Sequence, residues 1–274
     1  MSKPWKDIAF TSCTGHSCLA YYQAGTRGTV TFLHGWGDHA GRYFEIGEQL
    51  SKAGFAVLIP DFYGHGRSQG PRARVDNFEH LITDLNTLLN STQVSGPTVL
   101  IGHSMGGCLA FHAGIVYADK LAGVVFNSAA LTINPAIPRF KRLLAKLLGR
   151  IAPHLPIAHL KQGWMMSSMS EEIQAYEQDD LLYHGKIEAG TGLELMHSND
   201  WVSQNMQKFE LPFLALQGTD DVLVNPEGPE LLMQRCPQED KALKVFNQAR
   251  HDLLHDRSAQ SVQNTILNWL EKRH

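Results

Sequence analysis

Three residue types that together activate a hydroxyl stand where short apolar runs end. Ser104 follows Thr98-Val99-Leu100-Ile101, the pair Asp220-Asp221 follows Leu214-Ala215-Leu216, and His251 comes shortly after Val245-Phe246. A serine hydroxyl is a weak nucleophile until a base within hydrogen-bond reach takes its proton during attack. An imidazole does this when a carboxylate on its other nitrogen fixes one tautomer and stabilises the imidazolium that forms. His251 is the expected base, because it comes directly after a strand, whereas His255 reads as approaching the last helix. Either Asp220 or Asp221 can supply the carboxylate, and the other then caps the following turn, a common use of Asp in loops. The negative oxygen formed in acyl transfer needs preorganised donors. The backbone N–H groups of Met105, at a helix N-terminus, and of Trp36, in the glycine-flanked turn after a strand, are the expected ones.

Ser104 is positioned by its neighbours. The run before it is short and β-branched, as in a strand buried on both faces, and Cys108, Leu109, Phe111, Ala113 and Ile115 continue it as a helix. Gly102, Gly106 and Gly107 carry no Cβ, so the strand and helix can approach closely around the serine. The rest of the chain alternates in the same way. Strands are expected at 7–13, 16–23, 30–33, 56–59, 98–101, 122–126, 212–217 and 241–245, and helices at 42–52, 77–90, 104–117, 229–236 and 258–272. Thr14 and Gly15 alone separate the first two strands, which predicts an antiparallel hairpin. In a mostly parallel sheet, ligands bind at the carboxyl ends of strands, where all the residues singled out above are expected. The chain order Ser, Asp, His with a Gly-x-Ser-x-Gly corner is that of the α/β-hydrolase fold. Fluorophosphonate labelling of Ser104 separates such an enzyme from a non-catalytic lipid-binding protein on the same fold.

The alternation breaks between residues 131 and 206, where helical periodicity dominates and no strand is expected. The chain therefore divides into a first core part (1–130), a helical cap (131–206) and a second core part (207–274). In the cap, Phe140, Leu143, Leu144, Leu147, Leu148 and Ile151 fall at helical spacing with Arg139, Lys141, Arg142, Lys146 and Arg150 interleaved. The apolar face of this helix is expected to pack on the core with the basic face solvated. The alternative is contact with an anionic lipid surface and admission of an acyl chain. Trp164-Met165-Met166-Ser167-Ser168-Met169 offers flexible apolar side chains that fill gaps or line adaptable pockets.

With 274 residues, 43% hydrophobic and 19% charged, the chain can bury one large α/β core with an insertion. The net charge of -3 and the lack of a basic run outside the cap helix argue against nucleic acid. Residues 1–7 lack the apolar centre of a signal peptide, so the expected location is cytoplasmic, with peripheral membrane contact through the cap as the variant. Cys13, Cys18, Cys108 and Cys236 show no CxxC spacing and read as free thiols. Serine activated by histidine needs no metal or organic cofactor, so none is implied. Oligomeric state is not encoded in any visible pattern.

The chain resembles the monoacylglycerol lipase and lysophospholipase group of serine α/β-hydrolases, from about residue 20 to the C-terminus. The resemblance rests on FLHGWGDHAGRY (32–43), IPDFYGHGRSQG (59–70), IGHSMGG (101–107), YEQDDLLYHGKI (176–187), LALQGTDDVLV (214–224) and VFNQARHDLLHD (245–256). It implies Ser104 as nucleophile, His251 as base and Asp221 as the acid, three residues after Gly218. It further implies that Asp38, Arg42 and His255 bind the glycerol end of a substrate. Asp38 is shorter than the glutamate usual there, His255 stands one residue further from His251 than in the animal enzymes, and Asp180 replaces a frequent proline. The segment Asp61 to Ser68 also matches and reads as turn architecture. The implied reaction is hydrolysis of a lipid ester, most simply a monoacylglycerol, through an acyl-enzyme. A lysophospholipase or general carboxylesterase is the alternative within the same chemistry, while the Asp nucleophile of epoxide hydrolases is excluded by Ser104.

Overall fold

The computed structural model describes residues 4–91, 93–94, 96 and 98–273, so residues 1–3 of the N-terminal stretch lie outside the described residues. In chain order the elements are β1 (Lys6–Thr11), β2 (Ser17–Gln23), β3 (Thr29–Leu33), α1 (Phe44–Lys52), β4 (Ala56–Asp61), α2 (Phe78–Leu89), β5 (Thr98–His103), α3 (Met105–Val116) and β6 (Leu121–Asn127). Then follow α4 (Arg139–Ile151), β7 (Pro156–Ala158), α5 (Gly163–Met166), α6 (Ser170–Gln178), β8 (Ile187–Glu188) and α7 (Ala189–Asn205). The chain closes with β9 (Phe213–Gly218), α8 (Gly228–Arg235), β10 (Lys241–Phe246) and α9 (Ala259–Glu271). Eight strands form one sheet in the order β1-β2-β4-β3-β5-β6-β9-β10. The β1–β2 hairpin is antiparallel, β2 joins β4 antiparallel, and the pairings from β4 through to β10 are parallel.

Because side chains alternate along a strand, the central strands feed two separate cores. Leu100, Val124, Phe126, Phe213 and Ala215 face the core shared with α2, α3 and α8. Val99, Ile101, Val125, Leu214 and Leu216 face the core shared with α1 and α9. This double coverage explains why the central strands read as continuous apolar runs. All of the residues of β3, β4 and β5 are buried.

Between β6 and β9 the chain leaves the sheet. The small antiparallel β7–β8 pair there is a correction to the expectation of no strand in this segment. Each of its strands is too short to give a periodic signal, and the pairing is decided by how α4 and α7 bring the chain together. These two helices pack closely at Gly149, where a Cβ would lie 2.7 Å from the Leu193 Cβ and 2.8 Å from the Ala189 carbonyl oxygen. A second correction concerns the apolar face of α4. Phe140, Leu143, Leu144, Leu147 and Ile151 are exposed by 67, 70, 51, 53 and 69%, rather than packed on the core. Helical periodicity reports that a face is apolar, not that the fold provides a partner for it.

The corner at Ser104 is the tightest approach in the sheet. A Cβ on Gly106 would stand 2.0 Å from the Leu33 carbonyl oxygen and 2.7 Å from that of His34, both backbone atoms that cannot turn away. Gly106→Ala is therefore expected to lower the urea midpoint strongly, by about 3 kcal/mol or more in stability. An unshifted midpoint would show that α3 can move away from β3.

Candidate active site

Ser104 links β5 directly to α3 with φ 54° and ψ -116°, a left-handed conformation that is costly for a residue with a side chain. The surroundings hold it there: its N–H donates to the Asn127 carbonyl at 3.2 Å, and its own carbonyl accepts from Gly107 at 3.0 Å and from Ala130 at 3.0 Å. Met105, next in sequence, is the first residue of α3, where N–H groups have no intrahelical acceptor. Neither the Met105 nor the Trp36 N–H donates to a protein acceptor among the described residues. Trp36, Ser104, Met105 and His251 line one cavity of about 370 Å³.

His251 lies after β10, and its Nδ1–H donates to Asp221 Oδ2 at 2.8 Å, with both side chains buried. That bond leaves Nε2 as the basic nitrogen of the neutral ring. Asp221 Oδ2 also accepts from Gln217 Nε2 at 3.1 Å, and Oδ1 accepts from the N–H groups of Leu223 and Val224 at 2.9 and 3.2 Å. Burial alone would raise the Asp221 carboxyl, but its interaction with His251 and the main-chain donors holds it below the usual carboxylate range. Asp220 is exposed and accepts from the hydroxyl of the adjacent Thr219. His255 pairs with Asp252 at 3.0 Å instead. Of the competing residues, the structure thus joins Asp221 to His251 and leaves Asp220 and His255 apart.

The segment after β7 holds the histidine loop. The His251 and Asp252 N–H groups donate to the Met165 and Met166 carbonyls at 3.4 and 2.9 Å, and Arg250 reaches the Trp164 and Ser167 carbonyls. Of the two readings open to Met165, Met166 and Met169, lining the cavity does not hold, whereas Met196 of α7 does line it. Ile137, Ile157, Leu160, Ile187 and Leu195, all from the stretch between β6 and β9, give the cavity an apolar wall.

Asp38, Arg42 and His255 are brought together but away from that wall. Asp38 accepts from Tyr43 Oη at 2.6 Å and from the His39 N–H at 2.7 Å, and stands 3.5 Å from Arg42 Nε. Arg42 also donates to Asp252, which holds His255 on its other oxygen. Asp38 and Arg42 are buried and not among the residues lining the cavity, nor is His255. Arg42 thus bridges Asp38 and Asp252; among the described residues its Nε keeps no hydrogen bond, and His255 has a partner on only one of its ring nitrogens. Burial works against both carboxyls, yet Arg42 holds Asp38 low and His255 with Arg42 holds Asp252 well below its usual value. Asp252 and Lys161 were missed in the sequence: Asp252 lies within the 245–256 stretch, but its role comes from Arg42, 210 positions away, and Lys161 stands in none of the quoted stretches. Asp61 accepts from the N–H groups of Ala40 at 2.7 Å and Arg67 at 2.8 Å, and so pins two turns. The cysteines are free. No group of residues suited to a metal ion occurs among the described residues.

A family model described as "Serine aminopeptidase, S33" matches residues 24–258. The chain is 32% identical to the monoglyceride lipase of Rattus norvegicus over 93% of this chain and 86% of the relative. It is 30% identical to the monoacylglycerol lipase of Mycolicibacterium smegmatis over 89% of this chain and 88% of that one. This chain belongs to the monoacylglycerol lipase-like serine α/β-hydrolases. The crystal structure of the Paleococcus ferrophilus monoacylglycerol lipase superposes with a TM-score of 0.86 at 28% identity, covering 99% of this chain and 100% of that one. The Saccharomyces cerevisiae monoglyceride lipase, solved with a substrate analogue, shares the fold with a TM-score of 0.88 at 22% identity, covering 100% of this chain and 98% of that one.

Removing the shared cation tests the ion cluster. Arg42→Met takes the cation from buried Asp38 and leaves Asp252 with His255 alone, and is expected to destabilise the fold by about 3–5 kcal/mol. The folded-state carboxyls of Asp38 and Asp252 lie below their unfolded values, so their contribution is present above about pH 4 and lost as the pH falls further. Thermal melts from pH 7 down to 3 should show this acid loss in the wild type and a flatter profile in Arg42→Met; parallel profiles would contradict the pairing.

Proposed function

We propose that this hydrolase cleaves monoacylglycerols to glycerol and fatty acid through an acyl-enzyme. The single observation that carries the reading is a strained serine sharing a largely apolar cavity with a histidine whose other nitrogen is held by a buried carboxylate. Ser104 attacks the ester carbonyl while His251 Nε2 takes the hydroxyl proton, and Asp221 stabilises the imidazolium. The N–H groups of Trp36 and Met105 receive the oxyanion. His251 then gives its proton to the departing glycerol oxygen, and a water activated by the same imidazole releases the fatty acid. The acyl chain lies along the cap wall of the cavity. The names of the relatives from rat and Mycolicibacterium smegmatis support the choice of glycerol ester over phospholipid.

In this reading residues 131–206 act as a cap over the two core parts, 1–130 and 207–274. The exposed apolar side chains of α4, with Lys141 and Arg150 exposed among them, dock on an anionic lipid surface and bring the cavity to its substrate. Among the described residues no helix is long and apolar enough to cross a membrane, so such contact is peripheral.

Fatty-acid release from monooleoylglycerol and from an equal-chain lysophosphatidylcholine tests the substrate. Release is expected from the glyceride, abolished in Ser104→Ala and lowered about 10⁴-fold in kcat by Asp221→Asn, which keeps the shape but favours the wrong histidine tautomer. Release from the lysophospholipid alone would overturn the head-group choice, and activity of Ser104→Ala would overturn the mechanism. For the cap, Leu147→Asp should lose co-sedimentation with phosphatidylglycerol vesicles while hydrolysis of a short soluble ester persists. Equal sedimentation of wild type and variant would refute α4 as the docking face.

A further inference from the structure

Lys161, between β7 and α5, brings a half-buried ammonium from the cap to the turn that carries Trp36. Its Nζ donates to the Trp36 carbonyl and lies 5.6 Å from the centroid of the Trp36 ring. It lines the same cavity as Ser104 and His251. A second cap residue grips the next carbonyl: the Tyr183 N–H donates to Gly37 O at 2.9 Å, and the Tyr183 ring packs edge-on against Trp36 at 5.6 Å. The carbonyl before these, that of Gly35, accepts from His34 Nδ1 at 2.8 Å. Three successive carbonyls of the turn are thus occupied, two of them by the cap, and the turn is left with the Trp36 N–H unspent.

We propose that Lys161 is a positioning residue for the oxyanion site: by holding the Trp36 carbonyl it fixes the turn that aims the Trp36 N–H, and it adds a fixed positive charge beside the reacting centre. The proposal rests on the ester-hydrolase reading above and deepens it. A preorganised dipole stabilises the oxyanion only if the peptide cannot rotate, and a nearby cation acts the more strongly the less water screens it. The cap thereby completes the catalytic site rather than merely covering it.

The ammonium is also titratable. Burial lowers it to about 8, against the pull of Asp38 and Asp252 and with Arg42 adding to the depression. His65 and His103 also feel its charge, and the Tyr176 ring of α6 faces it at 5.9 Å. Both histidines are held neutral at pH 7 by burial, to about 3 and about 4 respectively. Raising the pH through about 8 therefore removes the Lys161 charge and should lower kcat.

The test compares wild type with Lys161→Met on a short soluble p-nitrophenyl ester, with Lys161→Gln in its place should the methionine variant not fold by circular dichroism. A drop in kcat of about 10- to 100-fold is expected, smaller than the 10²–10³ for outright loss of an oxyanion donor, with KM changed less than about threefold. The alkaline fall in kcat near pH 8 should be present in the wild type and absent from the variant. A variant with wild-type kcat, or one that keeps the alkaline fall, overturns the proposal and leaves Lys161 as a cap fastening. A wild type without Ser104-dependent hydrolysis overturns the ester reading itself, and with it this one, and is recognised because the wild type fails before any Lys161 variant is compared.

Discussion

The close approach of β3, β5 and α3 around Ser104 is the constraint on which the rest depends. Gly106 lies against the carbonyls of Leu33 and His34, and a Cβ on Gly102 would stand 2.3 Å from the Gly106 carbonyl oxygen. This packing brings the turn after β3 and the start of α3 side by side, so that N–H groups from both can face one point. It also forces Ser104 into its left-handed conformation, strain that the two-sided core of the sheet can sustain. A looser corner would separate the serine from its candidate oxyanion donors even with each residue unchanged.

The charged groups are arranged around that corner in two ways. Asp221 and His251 form an isolated buried pair whose remaining oxygens are satisfied by main-chain and amide donors, which orients the ring without competing for its outer nitrogen. Asp38, Arg42, Asp252 and His255 form a second cluster that ties the turn after β3 to the loop after β10. Its members pair with one another, and the consequence is geometric: the two loops carrying the candidate oxyanion donor and the candidate base cannot drift apart without breaking a buried ion pair.

The stretch between β6 and β9 is fastened to the same two loops. Met165 and Met166 carbonyls hold the histidine loop, while Lys161, Tyr183 and Asp179 reach the Trp36, Gly37 and His39 positions, the last by a 2.8 Å bond from His39 Nε2 to Asp179 Oδ2. By contrast α4 touches the rest of the protein chiefly along α7 and presents its apolar side outward. One part of this stretch therefore holds the loops around Ser104 and His251, and another leaves its apolar side uncovered.

Residue type and spacing alone determined the sheet strands to within a few residues, the Ser104 corner, and the Ser, Asp, His order of the candidate residues. Those features rest on local signals: buried runs, glycines where backbones meet, and residues just past strand ends. The choice of Asp221 over Asp220 needed the family resemblance or the fold, because two adjacent carboxylates differ only in which way the chain turns them. Tertiary structure alone decided that Asp38, Arg42 and His255 neutralise one another with Asp252, a residue 210 positions from Arg42 in the chain. It also decided that the apolar face of α4 is uncovered and that Lys161 reaches Trp36 across 125 positions. Such contacts depend on how distant segments come together, and a periodic pattern carries no record of its partner.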